Sequence, residues 1–141
     1  MNNPEFKQRL AIAVKNSDET ELQALQDKAL EIAQVAGLPA AQIALLNGHR
    51  GKQFLEYHGK RELFHQAFLY RYNQLMDITP LRRQYPEAED LFASAEQAVA
   101  KRDDLIIQMA KVLAGSEDYQ PYLEQARQEW LARNESQEKA N

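Results

Sequence analysis

The chain has 141 residues, of which 44% are hydrophobic, and a formal net charge of −4, a size that suits one domain able to bury its own core. It contains no cysteine, which excludes disulfides, thiol nucleophiles and thiolate metal sites. Neither a secretory signal in residues 1–17 nor a run of about 18 apolar residues is present, so we expect a cytoplasmic protein.

The first third of the chain predicts three helices. Ala, Gln, Glu and Leu are abundant, β-branched residues are sparse and no stretch alternates cleanly, so the pattern favours an all-α fold. Proline and capping residues divide this part into helices over about 4–15, 18–37 and 39–46, with Ser17 or Asp18 as the cap of the second. Asn47-Gly48 is a strong stop signal.

Two long helices are predicted for the rest of the chain, over about 51–77 and 86–114. Pro80 starts a short helical turn between them, and Ser116 or Asp118 is expected to cap a last helix. We therefore predict a single helical-bundle domain over 1–134, with five to seven helices and the two long ones as its frame.

The end of the chain, from Asn134 onward, has the sequence NESQEKAN and lacks an apolar anchor. The last seven of these residues, 135–141, form a C-terminal tail. We expect this C-terminal tail to be frayed.

The helix predicted over 51–77 carries polar residues within a wide apolar arc. A helical projection places aromatic residues on one half of the arc and leucines on the other, so the arc is expected to be buried against two or more neighbours. Ionisable groups in such an arc need partners, either from other helices or from a small anionic or aromatic ligand. The ligand or polar-cluster candidates are Arg50, His58, Arg61, Glu62, His65 and Tyr72.

A metal site in this cluster has little support from the sequence. His58, Glu62 and His65 share a face, but the Glu-x-x-H pattern of ELFH occurs once. A carboxylate-bridged site needs a second copy, and the spacing is not that of a zinc protease. We therefore predict no metal and no cofactor.

Charge is unevenly distributed along the chain. Residues 48–86 carry seven basic and three acidic side chains, whereas residues 87–141 carry six basic and twelve acidic ones. The basic segment with its aromatic residues makes nucleic-acid binding an alternative function, through phosphate contacts and stacking. The candidates for that function are Lys52, Lys60, Tyr70, Arg71, Arg82 and Arg83.

The helix predicted over 86–114 shows a seven-residue repeat of the coiled-coil type. The repeat positions are Ala88, Leu91, Ala95, Ala98, Arg102, Leu105, Met109 and Val112. Such a seam packs inside a bundle or meets a partner helix. Arg102, Met109 and Trp130 are the candidates for a partner interface.

These patterns together favour a small non-catalytic interaction or regulatory protein. It is expected to bind a protein partner through helix faces, and the basic and acidic segments of two copies favour a homodimer. No phosphate-binding glycine loop or nucleophile motif is present in the sequence.

Overall fold

The computed structural model describes residues 4–140, with side chains described for residues 4–135. In this range the chain is all-α, with seven α-helices, two 3-10 turns and no strand. The helices are α1 (Pro4–Lys15), α2 (Glu19–Val35), α3 (Ala40–Leu45), α4 (Gly48–Asn73), α5 (Thr79–Gln84), α6 (Glu89–Ala114) and α7 (Leu123–Ala140). The predicted all-α bundle with two long helices is confirmed, since α4 and α6 have 26 residues each.

The chain divides into two compact units, Met1–Gln66 and Ala67–Asn141. The division falls inside α4, so the first unit contains α1 to α3 and the beginning of α4. The second unit contains the end of α4 and α5 to α7. The single domain over 1–134 stays a prediction.

A tight turn joins α1 and α2 in the first unit. The side chain of Asp18 caps α2 by accepting a hydrogen bond from the Glu21 backbone N–H at 3.1 Å, as the sequence predicted. Ser17 precedes it with a φ of 52°, in the left-handed region that costs a residue with a Cβ about 1–2 kcal/mol. The two helices pack on each other, and Arg9 and Glu21 join them through an ion pair of 2.5 Å.

The link between α3 and α4 is held by a buried glutamine of α2. Gln26 is 4% exposed, and its Nε2 donates to the carbonyls of Leu46 at 2.9 Å and Gly48 at 2.8 Å. Gly48 has a φ of 64°, which explains the predicted stop at Asn47-Gly48. However, α4 begins at Gly48 and continues through Gly51, so the predicted start at Gly51 is late.

Glycines and leucines at four-residue intervals form the buried face of α4 in the first unit. Gly51, Leu55, Gly59 and Leu63 are all buried. A Cβ on Gly59 would overlap the Val14 side chain, and a Cβ on Gly51 would overlap the Leu46 carbonyl and lie 2.7 Å from Gln26 Nε2. These glycines therefore permit close approach of the neighbouring backbone and side chains.

The wide apolar arc predicted for this helix is only partly buried. Leu55 and Phe64 are buried as expected, but four aromatic or apolar residues of the arc are exposed by 39–43% of their surface. These four are Phe54, Tyr57, Leu69 and Met76. For Phe54 and Tyr57 the physical reason is that the glycine-containing face of α4 makes the close helix contact in the first unit and leaves the two aromatic rings outside.

In the second unit, α4 ends earlier than predicted and the next long helix starts later. Leu75 has a φ of 58°, which is incompatible with a continuing α-helix to residue 77. Pro80 lies in the first turn of α5, as predicted. Pro86 opens a 3-10 turn over Pro86–Ala88, and α6 itself begins at Glu89.

The seven-residue repeat predicted for α6 holds only in its first half. Leu105 and Val112 are 54% and 81% exposed, whereas Ile106 and Ala110 are buried. From Arg102 onward the buried positions advance by four residues, because a straight α-helix drifts relative to a seven-residue repeat. Ile106 and Ala110 form a core with Ala126 of α7, surrounded by partly buried Leu75, Met109, Leu113, Tyr119, Leu123 and Trp130.

The last helix starts later than the sequence predicted. Gly115 ends α6 with a φ of 66°, and Ser116 Oγ accepts from the Asp118 N–H at 3.3 Å. A 3-10 turn over Gln120–Tyr122 then leads into α7 at Leu123, so neither Ser116 nor Asp118 caps that helix.

The backbone of α7 continues to Ala140, through most of the predicted tail. Side chains after residue 135 and the whole of residue 141 lie outside the described residues. The frayed tail over 135–141 therefore stays a prediction.

Candidate functional site

An aromatic and cationic surface lies on one side of α4 in the first unit. Its central residues, Phe54, Tyr57, His58 and Arg61, follow the three- and four-residue spacing that places side chains on one helix face. On the same side, Arg50 lies one turn before them and His65 one turn after them, and both are exposed. We call this set the aromatic-cationic face: Arg50, Phe54, Tyr57, His58, Arg61 and His65.

The centre of this face is a set of mutual ring and guanidinium contacts. The His58 ring meets Phe54 at 4.4 Å and Tyr57 at 5.3 Å between centroids, both in edge-to-face geometry. Arg61 Nη1 donates to Tyr57 Oη at 3.2 Å, and its Cζ lies 5.4 Å from the centre of the Tyr57 ring. Phe54 and Tyr57 remain 39% and 43% exposed, so the contacts order the two rings without removing them from solvent.

Positive charges on two helices act on His58. Burial lowers the pKa of His58 below its usual value, and the charges of Arg61 and of Lys7 on α1 lower the pKa further. The imidazole is therefore neutral at neutral pH and gains its charge only under acidic conditions.

The polar cluster predicted on α4 is not a buried cluster. His58, Arg61 and Glu62 are half-buried, whereas Arg50 and His65 are exposed, so the predicted burial of all of them in one apolar arc is wrong. The reason is that the Gly51-Leu55-Gly59-Leu63 face of α4 makes the close contact in the first unit, so the side that carries Arg50 and His65 stays exposed.

Tyr72 lies in the second unit, apart in the chain from the other cluster candidates. Its ring contacts Trp130 at 5.7 Å and the guanidinium of Arg102 at 5.3 Å.

Within the described residues, no three His, Asp or Glu side chains are grouped so as to hold a metal ion.

The nucleic-acid candidates are distributed over both units, and several already have partners. Lys52 is paired with Glu19 of α2. Arg82 donates through Nε and Nη2 to Glu89 at 2.9 and 2.6 Å, and Arg71 donates to the Asp77 carbonyl at 2.7 Å.

Three other nucleic-acid candidates differ in exposure. Tyr70 is 57% exposed, Arg83 is exposed and Lys60 is half-buried. The geometry therefore gives the predicted nucleic-acid set fewer available cations than the sequence indicated.

The three predicted interface residues belong to the second unit, where Arg102 is buried and the other two are partly buried. Arg102 is 5% exposed; it donates to the Tyr72 carbonyl at 2.9 Å and to Asp103 Oδ1 at 2.8 and 3.1 Å. Met109 and Trp130 are partly buried against the core of α6 and α7. The expectation that Arg102 faces a partner is wrong, because its side chain bridges elements of its own unit.

Sequence reasoning missed the two residues that give the aromatic-cationic face its exposed aromatic area. Phe54 and Tyr57 were expected in the buried arc, because aromatic residues on a helix are usually core. The available signal was the Gly51-Leu55-Gly59-Leu63 spacing, which marks a competing face suited to close packing.

Comparison of the chain with protein-family models, curated proteins and solved structures finds no match. Among the described residues, no helix combines the length and apolar character needed to cross a membrane.

Proposed function

We propose that this protein is a small non-catalytic interaction protein, which binds a protein partner through the aromatic-cationic face of α4. One observation carries the proposal: the exposed rings of Phe54 and Tyr57 are held by His58 and Arg61 on a single helix face. The proposal includes a regulatory role, in which the protein acts by binding this partner.

The composition of this face is that of a binding hot spot. Tyrosine and arginine are enriched among the residues that contribute most to protein interfaces. An aromatic ring supplies a large apolar area with few rotatable bonds, and the contacts at Tyr57 and Phe54 already restrict those bonds. Ordering side chains before binding lowers the entropic cost of association.

Other exposed apolar residues of the first unit lack this arrangement. Ile32 and Val35 of α2 are 54% and 85% exposed, but they are aliphatic. They are therefore suitable control positions for a test of the proposed surface.

A second copy of the chain is one possible partner under this proposal. The basic character of residues 48–86 and the acidic character of residues 87–141 favour contact between opposite segments of two molecules. Light scattering across micromolar concentrations measures whether such a dimer forms, and a constant monomer mass would leave only a different protein as the partner.

The test is affinity capture from the native host, followed by mass spectrometry. The bait proteins are the wild type, the Phe54→Ala/Tyr57→Ala variant and the Ile32→Ala/Val35→Ala variant, and circular dichroism checks that each is folded. The wild type and the α2 variant should enrich the same protein, whereas the α4 variant should lose most of it. Equal capture by all three proteins would refute the proposal for this face.

A further inference from the structure

The longest uncharged stretch of the chain is apolar and lies on the surface of the first unit. No Asp, Glu, Lys or Arg lies between Glu31 and Arg50, a run of 18 residues, whereas the next longest such run has eight. Eleven of the 18 residues are hydrophobic, yet only Ala33 among them is buried. Residues of this kind usually belong to a core, so their exposure here marks an interaction surface.

We infer that this stretch forms the contact between two copies of the chain. We call its exposed aliphatic residues the α2–α3 surface: Ile32, Val35, Leu38 and Leu45. The surface does not include Phe54 or Tyr57, so the inference goes beyond the proposed function and is independent of it. It also differs from a contact between the basic and acidic segments of two molecules, because it involves no charge.

Local contacts hold the stretch in a fixed shape. The Leu38 backbone N–H donates to the Ala33 carbonyl at 3.1 Å, which closes the turn after α2. The short helix α3 packs on α2, and Gln26 Nε2 donates to the Leu46 carbonyl at 2.9 Å. No residue of α3 is buried, so these contacts position the helix without covering it. A surface that is ordered in advance loses less conformational entropy on association.

The exposed area is close to what a homodimer requires. Leu38 and Leu45 are 41% and 57% exposed, in addition to the more exposed pair Ile32 and Val35 on α2. Together the four residues present roughly 450 Å² of aliphatic surface, in the range of functional patches on single chains. Because about 65% of a homodimer interface is apolar, this area corresponds to roughly 700 Å² per copy, near the standard value of about 800 Å².

The absence of charge favours a second copy as the occupant. In a two-fold dimer, each residue near the axis faces the same residue of the other copy. A charged side chain there would meet a like charge, which is strongly unfavourable, whereas an aliphatic residue meets an aliphatic one. The edge of the surface carries both signs, since Lys28 and Glu31 on α2 are exposed, and opposite signs allow pairing across the rim.

A lipid surface suits the stretch less well. Attachment to an anionic membrane uses clusters of about four to eight Lys and Arg beside the apolar residues. The stretch contains neither residue type. Its border combines Lys28 and Arg50 with the acidic residues Asp27 and Glu31, so no strong positive potential accompanies the aliphatic residues.

Analytical ultracentrifugation of the full chain at micromolar concentrations tests the inference. The wild type should form a dimer, and Leu38→Glu/Leu45→Glu should raise its dissociation constant at least about tenfold, because it places like charges in an apolar contact. The control Leu105→Glu/Val112→Glu adds the same charge at exposed aliphatic residues of α6 and should remain a dimer. Circular dichroism checks that each variant is folded. A monomeric wild type, or equal weakening by both variants, would overturn the inference.

Salt dependence separates the two kinds of dimer. Raising the ionic strength from about 0.1 to 0.5 M should leave the dimer intact, because an aliphatic contact is not screened, whereas a contact between oppositely charged segments weakens. A dimer that dissociates at high salt and persists in Leu38→Glu/Leu45→Glu would belong to the charged segments. That result would also overturn the inference.

Disulfide cross-linking locates the two-fold axis. The chain contains no cysteine, so a single introduced cysteine can link only to its own copy in another molecule. With diamide as the oxidant, at least one of Val35→Cys, Leu38→Cys and Leu45→Cys should form a covalent dimer rapidly, since a disulfide needs Cα atoms within about 7 Å. Leu105→Cys should link much more slowly. Equal rates at position 105 and at all three surface positions would contradict the inferred contact.

The remaining outcomes separate this inference from a lipid surface and from the proposed function. A monomer that co-sediments with phosphatidylserine vesicles, and loses that binding in Leu38→Glu/Leu45→Glu, would overturn the inference in favour of lipid. Host-protein capture that depends on Phe54 and Tyr57 while the wild type is monomeric would refute this inference alone. A dimer that depends on Leu38 and Leu45, with capture independent of the two rings, would support it and refute only the proposed function.

Discussion

Replacing Gly59 with alanine tests the close approach of α1 to α4. A Cβ at this position would overlap Val14 Cγ2 and lie 3.1 Å from Val14 Cβ and 3.4 Å from Leu10 Cγ. In an exposed helix interior, alanine would be more favourable than glycine by about 1 kcal/mol. An extra methyl group in a packed core costs about 1–3 kcal/mol. Combined with the gain in helix propensity, this gives an expected net loss of up to roughly 2 kcal/mol in the free energy of unfolding.

A second substitution shows whether the contact with Val14 causes this loss. Val14→Ala removes two buried methyl groups, which should lower stability by about 2 kcal/mol when transfer and cavity effects are combined. In the double variant, the new Cβ at position 59 occupies space that the Val14 methyl groups leave. The combined loss should therefore be smaller than the sum of the single losses by about 1 kcal/mol or more.

Urea unfolding followed by circular dichroism measures these free energies by linear extrapolation. The control combines Gly59→Ala with Ile106→Val, a buried site of the second unit, and the effects of that pair should add to within about 0.5 kcal/mol. Additive effects of Gly59→Ala and Val14→Ala would refute the steric explanation. A gain in stability from Gly59→Ala alone would do the same.

Three more substitutions test other features. The pKa of His58 is lowered in the folded chain, so His58 of the unfolded chain binds a proton first as the pH falls through about 6.5. Below that pH the melting temperature of the wild type should therefore fall more steeply with pH than that of His58→Gln. Equal dependence of the two melting temperatures on pH would contradict this. Arg102→Met should lower the free energy of unfolding, measured in urea, by about 2–3 kcal/mol, since it removes the donor to the Tyr72 carbonyl. The control Lys101→Met, at an exposed position, should change that free energy by under about 0.5 kcal/mol. Similar losses in the two variants would show that the burial of Arg102 is unimportant. Ser17→Gly should raise the free energy of unfolding by about 0.5–1 kcal/mol in urea unfolding, because it relieves a positive φ at an exposed turn. A lower free energy of unfolding would count against strain there.

The helix boundaries that the sequence predicted well depend on local chemistry. Asp18 caps α2, Gly48 has the positive φ expected at a stop, and Gly115 ends α6 in the left-handed conformation. Each of these effects involves a residue and its neighbours within about one turn. Local sequence is therefore sufficient to predict them.

The orientation of α4 was not predictable in the same way, because the helix carries two faces that compete for burial. Hydrophobicity favoured the aromatic face, while the glycines at positions 51 and 59 permitted a closer approach on the other. Which face is buried depends on the shape of α1 and the α3–α4 link, and those contacts come from residues distant in sequence. Four of the six residues of the face were thus candidates from the sequence, namely Arg50, His58, Arg61 and His65. The exposure of Phe54 and Tyr57 was not predicted.

The packing of the first unit and its proposed binding surface are physically linked through α4. The buried face at Gly59 sets how closely α1 approaches the helix, and the same rigid helix carries Phe54 and Tyr57 on another side. A rotation of α4 that buried these rings would move Gly59 away from Val14 and replace a close contact with bulky side chains. The small residues therefore stabilise the orientation in which the rings stay exposed, so this exposure is a consequence of core packing.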